Sequence, residues 1–234
     1  STFMRHAVVS ENRLVRVDGD LSLREAALLG CALPTGMGMV LNTARVRPGD
    51  SVAVFGAGGI GLSAILAADL VHAGPIIAVD VAAHKLDQAR QMGATDLVDA
   101  SAGDPLAAIR ELTDGRGIDV AIEAVGKKET AEAAFASVRD GGGLCVLAGN
   151  VPHGVRISLD PFDLIRGKRV VGSWGGETDV DRDLPLYAGL LKAGELRADR
   201  LITDVFPLER INGALDELER GNVGRVLIDM ESRG

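Results

Sequence analysis

The chain has 234 residues, 47% of them hydrophobic, enough to bury the core of one large domain or of one domain plus part of a second. A formal charge of −8 with no basic stripe argues against nucleic acid and anionic membrane as partners. Two cysteines far apart in sequence, Cys31 and Cys145, are no disulfide framework, no leader pattern opens the chain, and no apolar run reaches the roughly 20 residues that span a bilayer; a cytoplasmic protein is expected.

From the amino end, residues 6–9 and 14–17 read as short strands. Ser22 predicts the N-cap of a helix over 23–30, with Glu25 as its capping-box partner. Cys31-Ala32-Leu33-Pro34-Thr35-Gly36 reads as a turn, followed by an apolar helical segment toward Ala44. Short apolar runs then alternate with helical patterns. Strands are predicted at 52–55, 76–81, 97–98, 119–124, 144–148 and 170–172, and helices at 60–71, 85–92, 104–113 and 128–138. Asp104 and Pro105 suit the N-cap and N1 positions of the third of these helices. Strands that are apolar throughout are buried on both faces, and their alternation with helices implies a parallel, doubly wound α/β sheet. After Trp174 the pattern changes to a helix over 184–193, a strand near Ile202, a helix over 208–220 and a strand over 225–229.

The chemistry-bearing motif is Gly56-Ala57-Gly58-Gly59-Ile60-Gly61, set between a predicted strand and a predicted helix. The first glycine permits a tight turn. The second, Gly58, lets backbone approach a pyrophosphate, and the third, Gly61, lets helix pack closely on strand. The helix start adds free N–H groups and a positive dipole end for the phosphates. Asp80 closes the next strand, nineteen residues after Gly61. A carboxylate there accepts hydrogen bonds from the adenosine ribose and repels a 2′-phosphate, so the motif is expected to select NAD over NADP.

Several stretches carry a resemblance. They are Leu29-Gly30-Cys31 with Thr35-Gly36, residues 54–61, residues 76–80 with Lys85, Gly93-Ala94-Thr95, Glu123-Ala124-Val125-Gly126, and Gly224-Arg225-Val226. Together they resemble the C-terminal two-thirds of a zinc-dependent alcohol dehydrogenase of the medium-chain dehydrogenase/reductase family, in the class that includes the liver-type and formaldehyde dehydrogenases. The resemblance implies a Rossmann-type sheet over 33–173, with remnants of a GroES-like catalytic domain at both ends, 1–32 and 174–234. It implies hydride transfer between an alcohol or aldehyde and NAD, with zinc in the intact enzyme. Cys31 falls on a ligand of the catalytic zinc. Thr35 and Ile60 fall on nicotinamide contacts, and Lys85 on a lysine that helps Asp80 hold the ribose. Val125, Ala148, Gly149 and Asn150 fall on the lining of the cofactor cleft, Gly59 on its phosphate turn, and Arg225 on an arginine facing the pyrophosphate. Met37, Trp174 and the loop over 150–155 would shape the substrate pocket or its rim. Homologous cofactor domains pair edge to edge, so a homodimer or homotetramer is implied, here through the strand near residues 169–172.

Read from the residues alone, a single cysteine such as Cys31 is more often a small apolar residue than a ligand, and the alternative for Lys85 and Arg225 is a solvated surface residue. Cys145 lies in a core strand and reads as structural. The four histidines, His6, His72, His84 and His153, have no metal-ligand spacing. The family's other zinc ligands and proton relay have no counterpart in the sequence, and the chain begins without Met in what reads as mid-strand. A fragment that binds cofactor without turnover is therefore expected. The competing readings are a zinc-free quinone or enoyl reductase of the same superfamily, against which Cys31 and Asp80 both argue, and a non-catalytic NAD-binding module.

Overall fold

A computed structural model of the protein describes residues 3–4, 6–17, 20–221 and 225–230. The chain forms two compact units, Ser1–Gly30 with Asp179–Gly234, and Cys31–Thr178. In the first, residues 6–9 and 14–17 are not the strands their composition suggests: Val8, Val9 and Leu14 are exposed, and no described strand pairs with them. A strand needs a neighbour for its hydrogen bonds, and no described strand supplies one here. Helix α1 (Leu23–Leu28) begins with the expected capping box: the Glu25 N–H donates to the Ser22 hydroxyl, and the Ser22 N–H donates to the Glu25 carboxylate, both at 3.3 Å.

The second unit opens on α2 (Ala32–Gly38), where the sequence reads as a turn. Pro34 is no obstacle, because it lies in the first turn, where its missing N–H has no intrahelical partner to lose. The helix widens into a π-type turn at Met39–Ala44 and ends at Arg45, which is left-handed with φ 53°. Then follow β1 (Val52–Phe55), α3 (Gly59–Leu70), β2 (Ile76–Asp80), α4 (Ala83–Gln91), β3 (Asp96–Asp99), α5 (Pro105–Leu112), β4 (Val120–Glu123), α6 (Lys128–Ser137), β5 (Leu144–Leu147), α7 (Pro161–Ile165) and β6 (Arg169–Gly172). The strands form one six-stranded sheet in the order β3-β2-β1-β4-β5-β6, with every neighbouring pair parallel. This is the doubly wound, Rossmann-type arrangement expected from the alternating pattern.

Layering follows from the strand pleat. Ala53 and Phe55 of β1, with Ile77 and Val79 of β2, face a core completed by Ile109 of α5 and Ala134 and Phe135 of α6. Val54 points to the opposite face, where its Cγ1 lies 3.2 Å from the position of a Cβ on Gly61. Helix α3 is buried along most of its length between this face and α2. The approach of α2 is close because Gly36 has no side chain: a Cβ there would stand 2.4 Å from the Ile60 carbonyl and 2.5 Å from Ser63 Cβ. At the amino ends of the strands, the Ser51 N–H and hydroxyl donate to Asp119 at 2.9 and 2.6 Å, and Arg139 Nε donates to its other oxygen at 2.5 Å. Partial burial raises the Asp119 carboxyl, but the Ser51 and Arg139 bonds and the nearby Arg116 charge outweigh it and hold the group at about 2.

The remaining elements belong to the first unit. Helix α8 (Val180–Lys192) is capped by Asp179, which accepts from the Asp181 and Arg182 N–H groups. Strand β7 (Ile202–Pro207), helix α9 (Ile211–Glu219) and strand β8 (Arg225–Asp229) make a small parallel βαβ pair.

Candidate cofactor-binding site

The strand register sets out the site. Phe55 pairs with both Val79 and Glu123, and Glu123 pairs with Leu147. The carboxyl ends of β2, β1, β4 and β5 therefore come level. The segments leaving them are Asp80, the glycine turn, Ala124-Val125-Gly126 and Ala148-Gly149-Asn150. Open parallel sheets bind ligands at this edge, where the strand order reverses, here between β1 and β4.

The glycine turn is built as its spacing predicts. Gly56 has φ +95°, and a Cβ on it would lie 2.6 Å from Val125 Cγ2. Gly61 lies against the same turn, so that a Cβ there would meet the Gly56 carbonyl at 1.8 Å. Gly58 is different in kind: it caps α3 with ordinary φ −81°, and nothing lies within 4 Å of where its Cβ would be. No side chain among the described residues caps α3. Its first N–H groups, from Gly59, Ile60 and Gly61, have no partner inside the helix and lie beside the space over Gly58. Open space and unpaired donors at one helix end suit a pyrophosphate.

Asp80 ties the turn to the next strand. One oxygen accepts the Ala57 N–H at 2.8 Å and the other the Ala82 N–H at 3.0 Å. A carboxylate offers about four acceptor directions, so the half-buried group keeps capacity for ribose hydroxyls. Lys85 sits in the first turn of α4, half-buried, and makes no ion pair among the described residues.

Val125 is exposed, Ala148 and Gly149 are half-buried, and Asn150 is exposed. Thr35 and Cys31 come from α2, which the Gly36 contact presses against the start of α3. Thr35 donates its N–H to the Cys31 carbonyl at 3.0 Å, and Cys31 is exposed at the N-cap. Arg225 opens β8 in the other compact unit. Met37, expected at the substrate pocket, is fully buried in the α2 packing and belongs to the core, while Trp174 is 92% exposed. Cys145 is the structural residue it was read as. Burial, followed by the charge of Glu123, pushes its thiol up to about 12.

Glu123 was missed as a candidate by sequence reasoning, which used it only as part of a matching stretch. It is fully buried, and its carboxylate bonds three donors of the β4 loop and of α6. The only sequence signal was an acid ending an otherwise apolar strand.

Zinc does not fit the residues present in the way the nicotinamide nucleotide does. Cys31 offers one thiolate, and among the described residues no group of three or more His, Cys, Asp or Glu side chains could hold a metal ion. A catalytic zinc keeps three protein ligands. No helix among the described residues is long and apolar enough to cross a membrane.

Comparison with known proteins agrees with the fold. Residues 59–189 match the model of a family described as zinc-binding dehydrogenase. The chain is 36% identical over 230 residues to alcohol dehydrogenase class-2 isozyme 2 of Oryctolagus cuniculus, covering 97% of this chain and 60% of that protein. It is 36% identical over 229 residues to S-(hydroxymethyl)glutathione dehydrogenase of Synechocystis sp., covering 97% and 62%. Benzyl alcohol dehydrogenase of Acinetobacter calcoaceticus superposes with a TM-score of 0.88 at 31% identity, over 92% of this chain and 59% of that one. The chain thus spans about three-fifths of the length of the curated relatives it matches.

Proposed function

The chain belongs to the zinc-binding dehydrogenase family, and from that premise we propose that it is the NAD(H)-binding portion of an alcohol dehydrogenase, which moves hydride between an alcohol or aldehyde and NAD. The observation that carries this reading is Asp80. It ends β2 beside the glycine turn, bonds the Ala57 N–H of that turn at 2.8 Å, and keeps acceptor capacity for the adenosine ribose. A 2′-phosphate would bring two negative charges against this carboxylate, which favours NAD over NADP.

In this reading Gly56, Gly58, Gly59 and Gly61 shape the phosphate turn. Lys85 joins Asp80 at the ribose, Thr35 and Ile60 meet the nicotinamide, and Val125, Ala148, Gly149 and Asn150 line the cleft. Bound NAD supplies a ring that accepts and returns hydride. Residues 33–173 form the cofactor domain, and 1–32 with 174–234 belong to a catalytic domain of the GroES-like type. Cys31 would be one zinc ligand of the whole enzyme. One cysteine does not complete a zinc site, so this chain alone binds cofactor without turning over alcohol. Assembly as a homodimer or homotetramer would use the outer edge of β6, the last strand of the sheet, whose row of backbone groups no described strand covers.

The test is a pair of fluorescence titrations of the chain with NADH and NADPH, followed by an alcohol-oxidation assay. NADH is expected to saturate and to bind at least about tenfold tighter, a difference of about 1.4 kcal/mol. Equal affinities, or no binding of either, would overturn the reading. Alcohol-dependent NADH production by the chain alone would overturn its lack of turnover.

A further inference from the structure

Glu123 is the one carboxylate that the six-stranded unit buries completely. Oε1 accepts three hydrogen bonds, from the Val125 N–H at 2.9 Å, the Gly126 N–H at 2.8 Å and the Thr130 hydroxyl at 2.7 Å. Oε2 has no partner. A buried carboxylate is costly unless its hydrogen bonds are made, and here one oxygen makes all of them.

The same residue holds the neighbouring loop by its backbone. The Glu123 carbonyl accepts the Ala148 N–H at 3.0 Å and the Gly149 N–H at 3.1 Å. Gly149 has no side chain to spare: a Cβ there would stand 2.5 Å from Oε2 and 2.1 Å from the Gly126 nitrogen. Gly126 in turn abuts Asn150, whose carbonyl would be 2.7 Å from a Cβ on Gly126. The segments that follow β4 and β5 therefore meet at Glu123, whose carboxylate bonds the first and whose carbonyl bonds the second, with Gly126 and Gly149 closely apposed at the seam and Oε2 packed against Gly149.

Topology says what those two segments face. Asp80 lies at the end of β2 and the phosphate turn at the end of β1. A dinucleotide laid with its adenosine over β2 and its pyrophosphate over the start of α3 carries its second nucleoside across the switch point, over β4 and β5. We propose that Glu123 is a positioning residue for the nicotinamide half of the cofactor, holding the walls at 124–126 and 148–150 at the spacing that half requires. This rests on the cofactor reading above. Glu123 itself is sealed from the cleft and acts only through Val125, Gly126 and Gly149.

The test compares NADH with ADP-ribose, which has the adenosine and both phosphates and lacks nicotinamide. Their Kd values are measured for the parent chain and for Glu123→Ala, Glu123→Gln and Thr130→Val. Glu123→Ala removes the acceptor, and NADH is expected to weaken tenfold or more while ADP-ribose changes less than twofold. Glu123→Gln keeps an oxygen facing the three donors and should retain NADH affinity within threefold. Thr130→Val removes one donor without changing side-chain shape and should shift the ratio of the two Kd values in the same direction as Glu123→Ala, by about threefold. It serves as the readout where Glu123→Ala does not fold. Equal losses for both ligands, or an unchanged ratio in Thr130→Val and in any folded Glu123→Ala, overturn the proposal and leave the cofactor reading standing. A parent chain that binds neither ligand overturns both.

Discussion

Val125 fills the space that a side chain on Gly56 would need, with its Cγ2 2.6 Å from the position of a Cβ there. The positive φ of Gly56, +95°, adds backbone strain to that clash for any other residue. Gly58, two residues on, has ordinary φ and open space. The two glycines should therefore fail differently. Gly56→Ala is expected to cost roughly 2 kcal/mol or more of stability. Gly58→Ala should leave the melting temperature within about 2 °C and weaken NADH at least tenfold, because its methyl group enters the room left for phosphate. Thermal melts paired with NADH titrations distinguish the two. Unchanged NADH affinity in Gly58→Ala would remove Gly58 from the site.

Asp80 is expected to set the choice of cofactor by charge. Asp80→Asn keeps an oxygen for the Ala57 N–H and removes the repulsion toward a 2′-phosphate. The ratio of NADPH to NADH affinity should rise by about tenfold, roughly 1.4 kcal/mol. A ratio that does not move places the discrimination elsewhere.

Acid should loosen the larger unit through Asp119. Its folded pKa of about 2 lies below the ordinary value of 3.8. A depressed carboxyl contributes stability that is fully present above the unfolded value and is lost as pH falls through the folded one. A contribution on the order of 2 kcal/mol should therefore disappear between about pH 4 and pH 2. Urea midpoints measured across that window should fall more steeply for the parent than for Asp119→Asn, which is already less stable at neutral pH. Parallel curves would contradict the assignment.

Tyr187 is fully buried in α8, its hydroxyl makes no hydrogen bond among the described residues, and burial pushes its ionisation up to about 12, with the Asp183 charge adding to the shift. Removing an unpaired buried hydroxyl relieves a desolvation penalty. Tyr187→Phe should raise the urea midpoint by the equivalent of about 1 kcal/mol. A lower midpoint would mean that the hydroxyl is bonded in solution.

Strands β1 to β6 and the glycine turn were legible because their signals are local: short apolar runs, glycines at fixed offsets, and Asp80 at a set distance. Helix α7 was not anticipated, although Asp160 and Pro161 cap it much as Asp104 and Pro105 cap α5. Five residues are too few for helical periodicity to register, and an Asp-Pro pair reads equally as a turn. Cys31 to Gly36 misled in the opposite way, since Pro34 and Gly36 signal a turn locally and α2 forms because Gly36 lets it pack on α3. The apparent strands at 6–9 and 14–17 show that an apolar run becomes a strand only where another strand is there to receive it. Glu123 lay out of reach of sequence reasoning, because its role depends on Gly149, which sheet pairing alone brings to its side.

The central place of β1 also matters while the chain is being made. Val52 pairs with Ile76 on one side and with Val120 on the other. A nascent chain can complete the first ladder early, yet the second edge of a fully apolar strand stays bare until β4 has left the ribosome. At about 5–20 residues per second the intervening stretch takes several seconds to synthesise. A chain stalled or cut within α5 would carry that open edge permanently, and such an edge recruits other strands. Aggregation of products ending before residue 120, and not of those ending after β6, is the signature this topology would leave on translation.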